Sequence, residues 1–90
     1  MLALRDFMNC LMKKIKSEFE INDRDLNESK SDIAVDARIM LVGALVRDGW
    51  SEGEIVKVTG WKQRRVNWLK NHFDERMKRR IFREAFERVK

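Results

Sequence analysis

Proline is absent from all 90 residues, and glycine occurs only four times. No position therefore forbids a helical hydrogen bond, and sharp turns have few places to fall. The apolar residues use that freedom at a helical period. Between Leu4 and Phe19 they stand at positions 4, 7, 8, 11, 12, 15 and 19, one stripe of a helix with about 3.6 residues per turn. Arg5, Lys13, Lys14, Lys16 and Glu18 take the other side. A core helix is expected there. The pattern predicts an all-α fold, a small helical bundle forming a single domain over residues 1–90.

The stretch from Glu20 to Ser31 is polar apart from Ile21 and Leu26. Asn22 or Asp23 is placed to cap a single turn ending near Glu28, with those two side chains as anchors. Ser31 then reads as the N-cap of a long helix through Arg47, and Asp32 suits its positive end. Ile33, Ala34, Ala37, Met40, Leu41, Ala44 and Leu45 share one face, which Ile39, Val42 and Val46 widen. That breadth predicts the central helix of the bundle. Asp48-Gly49 stops it.

The next start is the sharpest local signal. Ser51 stands three residues before Glu54, as in a capping box, and Trp50 and Ile55 occupy the two positions of a hydrophobic staple. A helix begins at Ser51 and ends within about two turns at Thr59-Gly60. From Trp61 onward there is no glycine or proline. Val66, Leu69 and Phe73 hold the inner face of a helix starting near Lys62 or Gln63. It either breaks around Asn71–Asp74, with Asp74 capping a final helix, or runs straight on.

Charge is unevenly placed. Residues 1–36 carry six Lys and Arg against eight Asp and Glu, a net of −2, whereas residues 61–90 carry eleven against four, a net of +7. A polyanion footprint is the expectation that follows. A short helix, a glycine turn at Gly60 and a basic second helix with apolar anchors at fixed offsets describe a helix-turn-helix between about Ser51 and His72. With Val66 and Leu69 inward, Arg64 and Asn71 point outward and Asn67 and Trp68 flank them. Gln63, Arg64, Asn67 and Asn71 are the expected base-reading residues on double-stranded DNA, since Arg suits guanine and Asn or Gln suits adenine. Arg38, Ser51, Lys62, Arg65, Trp68 and Lys70 are the expected phosphate contacts. Trp68 either stacks on sugar-phosphate or covers the last helix, and Trp61 packs the turn.

These residues lie within a longer pattern: Ile21-x-x-x-Asp25-Leu26, Ala37-Arg38, Leu45, and Ser51-x-x-Glu54-Ile55-x-x-x-x-Gly60. The pattern resembles the C-terminal DNA-binding domain of the bacterial chromosomal replication initiator, DnaA. The resemblance implies a tryptophan-repressor-like helical fold and duplex-DNA binding, in replication initiation or transcription regulation. After the turn, the family's Arg-Asp-His-Thr-Thr stretch corresponds to Trp61-Lys62-Gln63-Arg64-Arg65, one residue shorter. The family's basic loop before the long helix is here Glu28-Ser29-Lys30-Ser31, with one base. The resemblance therefore does not extend to the family's origin sequence.

Other function classes find little support. Cys10 is the single cysteine and cannot form an internal disulfide, which makes a reducing cytoplasm the expected location. It reads as a small core residue on the first stripe. The chain opens at Met1 with no basic-then-apolar leader, and its longest apolar stretch, Ile39 to Val46, falls short of the ~20 residues of a membrane span. His72 has no partner ligands, tyrosine is absent and no phosphate-binding Gly-x-x-x-x-Gly-Lys motif occurs. The expectation is a non-enzyme without cofactor, metal or small-molecule substrate. The rival comes from the C-terminal helix, where Met77, Ile81, Phe82, Ala85, Phe86 and Val89 offer an adhesive face for homodimerisation or another protein. In the bland alternative this helix packs on helix 4–19 and completes the core.

Overall fold

A computed structural model describes residues 4–90, without the side chain of Leu4. That side chain, first of the expected stripe, and the segment read as lacking a leader lie outside the described residues. Six α-helices follow one another: α1 (Leu4–Phe19), α2 (Asp23–Glu28), α3 (Asp32–Arg47), α4 (Glu52–Thr59), α5 (Gln63–Arg76) and α6 (Arg80–Val89). The fold is an all-α bundle, as the periodicity predicts. No described helix is long and apolar enough to cross a membrane.

α3 is the axle, packed on α1, α2, α4 and α5. Ile39, Met40, Leu41, Val42 and Leu45 are fully buried, so nearly every side of its middle turns is covered. Its start is set by Ser31, whose hydroxyl accepts from the Ala34 N–H at 3.2 Å. Ile33 departs from expectation. It lies in the first turn, before the neighbouring helices close over α3, and is 55% exposed. Gly43 has a packing role that the sequence does not announce: a Cβ there would overlap the ring of Phe73 on α5.

α1 buries Met8, Leu11 and Ile15 of its stripe. Cys10 is exposed, not in the core. It sits one residue before Leu11, about 100° around the helix from the buried line. α1 ends without glycine: Glu20 takes a left-handed φ of 54°, and the Ile21 N–H returns to the Lys16 carbonyl at 3.0 Å. Ile21 packs against the core, which holds the chain in that turn. Asn22 caps α2, accepting from the Asp25 N–H at 2.8 Å, and Leu26 anchors it, fully buried.

The C-terminal thirty residues form two helices. α5 runs through Asp74 and Glu75 to Arg76, past the expected break, and Asp74 caps nothing. The N-cap of α6 is Arg79, with no side-chain hydrogen bond. Packing explains the later turn. Phe73 must reach Gly43 before the chain reverses, and Phe82 and Phe86 then meet its ring edge-on, with centroids 6.1 and 5.3 Å away. α6 lies on α1, tied by Arg88 to Glu18. Phe82, Ala85, Phe86 and Val89 are buried by this packing, and Ile81 is left 82% exposed.

Candidate nucleic-acid interface

α4 and α5 meet through a three-residue turn, Gly60-Trp61-Lys62. The capping box forms as the sequence requires. The Glu54 N–H donates to Ser51 Oγ at 3.2 Å, and the Ser51 N–H and hydroxyl both donate to Glu54 Oε1 at 3.1 and 2.9 Å. Gly60 closes α4 with φ 73°, a left-handed conformation open to glycine at little cost. Trp61 packs the turn as expected: it is buried, and its indole N–H donates to Asn27 Oδ1 at 3.1 Å.

With Val66, Leu69 and Phe73 buried, α5 turns two adjacent stripes outward. Arg64, Trp68 and Asn71, with spacings of four and three, form the first, and all are exposed. The ion pairs among the described residues include neither Lys62 nor Arg64. Trp68 is 46% exposed and stacks on His72, with ring centroids 3.9 Å apart. It therefore does not cover the last helix.

The second stripe, Gln63, Asn67 and Lys70, converges on one carboxylate of α4. Glu52 accepts from Gln63 Nε2 at 2.9 Å, Asn67 Nδ2 at 3.2 Å and Lys70 Nζ at 2.8 Å. These donors, Lys70 first and Asn67 next, hold the Glu52 carboxyl below its ordinary value. Asn71 Nδ2 in turn donates to Asn67 Oδ1 at 3.1 Å, which joins the two stripes. Lys70, expected at phosphates, is thus ion-paired and half-buried.

Two other expected phosphate contacts are corrected. Arg38 is 5% exposed, and its guanidinium donates to the carbonyls of Leu26 at 2.9 Å, Ser29 at 2.7 Å and Asp25 at 3.4 Å. It clasps the end of α2, where the Asp25 carbonyl also accepts from the Ser29 N–H and the Leu26 carbonyl is among the last four that a helix leaves without a helical partner. Ser51 already commits its hydroxyl and N–H to the Glu54 carboxylate, which leaves neither donor free for a phosphate. Arg65 is intermediate. Its guanidinium donates to the Asn27 carbonyl at 3.0 Å and lies 5.0 Å from the Trp61 ring centroid. Burial lowers its pKa.

The sequence reading missed Glu52 and Asn27. Glu52 carried one clue, as an acid in the first turn of the leading helix. Asn27, 34 positions before Trp61, carried none. The C-terminal excess of base is also partly neutralised: Arg76 pairs with Asp36, Arg80 with Glu84, Arg88 with Glu18 and Lys90 with Glu87. No group of three or more His, Cys, Asp or Glu among the described residues is arranged to hold a metal ion.

Three carboxylates, two at the start of α4 and one on α1, give the fold a pH dependence. Glu54 is held low by the Ser51 N–H, Glu52 by Lys70 and Glu18 by Arg88. The unfolded chain takes up protons at these sites first as pH falls, so their stabilisation is complete above the usual carboxylate range and lost below it. The urea midpoint is expected to hold near neutrality and to drop as pH falls from about 5 towards 3. A midpoint that rises over that interval contradicts the assignment.

Comparison with protein-family models, with curated proteins and with solved structures returned no match.

Proposed function

We propose that the chain binds double-stranded DNA in a sequence-specific way by laying α5 in the major groove, as a DNA-binding module of replication initiation or transcription regulation. The observation that carries the reading is the outward surface of α5. Arg64, Trp68 and Asn71 are exposed beside Gln63 and Asn67, and the helix has no acidic residue before Asp74. A merely solvated helix face more often mixes Glu with Lys. Here a guanidinium and three carboxamides stand together, the groups that match guanine and adenine edges. The buried Val66, Leu69 and Phe73 fix their direction. The resemblance to the initiator's DNA-binding domain supports the same reading.

In this mechanism Arg64, Gln63, Asn67 and Asn71 read base edges. Lys62, with the free edge of Arg65, neutralises phosphates, and Trp68 lies against sugar-phosphate. The adhesive-helix alternative loses much of its surface, because four of the six apolar residues it invoked are buried within the bundle.

Fluorescence anisotropy with a random duplex of about 20 base pairs, at about 50 and 200 mM salt, tests the reading. Affinity is expected to fall steeply with salt, with about three to six counterions released. Lys62→Ala should flatten the slope by about one unit. Arg64→Ala should cost about 1–3 kcal/mol on a selected site while leaving the melting curve in place. Absence of binding at the lower salt would refute the proposal.

A further inference from the structure

Resting on that reading, we propose that Glu52 is a specificity-determining residue, which positions the Gln63 and Asn67 amides for base reading and withholds the Lys70 ammonium from phosphate. The geometry is that of a clamp. One carboxylate at the start of α4 receives three donors from positions 63, 67 and 70 of α5, all within 3.2 Å. Those positions fall on consecutive turns of one stripe, so a single acid fixes the whole stripe.

The clamp has two consequences for a bound duplex. It fixes amides that would otherwise rotate freely. With one N–H of Asn67 on Glu52 and its carbonyl accepting from Asn71, the Asn67 side chain is oriented before DNA arrives. The order of ordering matters, because an immobilised side chain loses less entropy on binding. The second consequence is electrostatic. Glu52 cancels Lys70 at 2.8 Å and places a negative charge beside the groove-facing surface. A random duplex meets that charge as repulsion, whereas a correct site offsets it through the aligned amides. Discrimination rises because indiscriminate affinity is suppressed.

This predicts an effect of opposite sign to that of a merely structural acid. Glu52→Gln keeps the size of the side chain and removes its charge. Binding of the random duplex should tighten about threefold or more, as expected for one charge at this range. Its salt slope should steepen by about one unit as Lys70 reaches a phosphate. The preference for a selected site over random sequence should fall about tenfold, the scale of one lost base contact. Adding Lys70→Gln to Glu52→Gln should abolish the gained affinity and return the slope towards the parent value.

The parent protein serves as the control. If it binds no duplex, the DNA reading itself fails. If it binds, and Glu52→Gln weakens both duplexes equally or leaves preference and slope unchanged, Glu52 is a helix-terminal acid only and the proposal is overturned. Melting curves of both variants, read beside the titrations, identify any loss of binding caused by unfolding.

Discussion

Gly43→Ala is expected to destabilise the protein by about 3 kcal/mol, the upper end of the range for overpacked cores. In an exposed helix the same change would stabilise by roughly 0.5–1 kcal/mol, since alanine is the better helix former. Here the added methyl group would overlap Cγ, Cδ1 and Cε1 of Phe73. The ring has no easy retreat: Phe82 and Phe86 meet it edge-on, and the Arg47 guanidinium lies 5.0 Å from its centroid. Helices α3 and α5 would have to separate, loosening the contact that aims the outward face of α5. Urea unfolding of Gly43→Ala, alone and with Phe73→Leu, measures the clash directly. The smaller leucine should recover much of the loss, leaving the glycine change costing less than about 1 kcal/mol in that background. A Gly43→Ala variant more stable than the parent would show that α3 and α5 do not approach this closely.

Arg38→Met is expected to cost a comparable amount, about 2–4 kcal/mol, without altering the salt dependence of the proposed DNA binding. Three carbonyls at the end of α2 receive the Arg38 guanidinium. A methionine fills similar space but donates nothing; the Asp25 carbonyl keeps the Ser29 N–H, while the Leu26 and Ser29 carbonyls lose their donor at about 1–3 kcal/mol each, partly relieved where water can enter. Burial lowers the Arg38 pKa, with the Arg65 charge adding to it, so this is a cation kept in place by its acceptors. Arg38→Lys should recover little, because an ammonium cannot span all three carbonyls as the planar fork does. A phosphate contact would behave otherwise, with stability intact and a salt slope reduced by about one unit. The two readouts separate the roles.

The corrected residues show how far the chain could be read in one dimension. Periodicity located α1, α3 and the first part of α5, because burying an apolar stripe is a demand that each segment carries in its own spacing, but it left open whether residues 61–90 form one helix or two. Local chemistry located the starts: Ser31, Asn22 and the Ser51/Glu54 box act within three residues, and each formed. Gly49 and Gly60 marked two helix ends by their positive φ. The end of α1 needed a non-glycine residue, Glu20, in that conformation. The end of α5 came later than its polar residues suggested, because Phe73 had first to reach Gly43. Both ends were settled by partners distant in sequence.

The candidate interface divides in the same way. The outward direction of Arg64 and Asn71, with Asn67 beside them and Gln63 on the flank, followed from Val66 and Leu69, since helical geometry alone relates those positions. What each exposed group is free to do did not follow. Arg38 and Arg64 are the same residue type, yet one grips the backbone of α2 while no ion pair among the described residues engages the other. Lys70 read as a phosphate contact until Glu52 of the preceding helix was seen beside it. By itself, then, the sequence determined the helical class, most of the inner faces and the side of α5 that meets solvent, all consequences of short-range geometry and apolar burial. Only the tertiary structure decided which polar groups are already satisfied, because hydrogen bonds and ion pairs between helices depend on distances of about 3 Å that no spacing along the chain encodes.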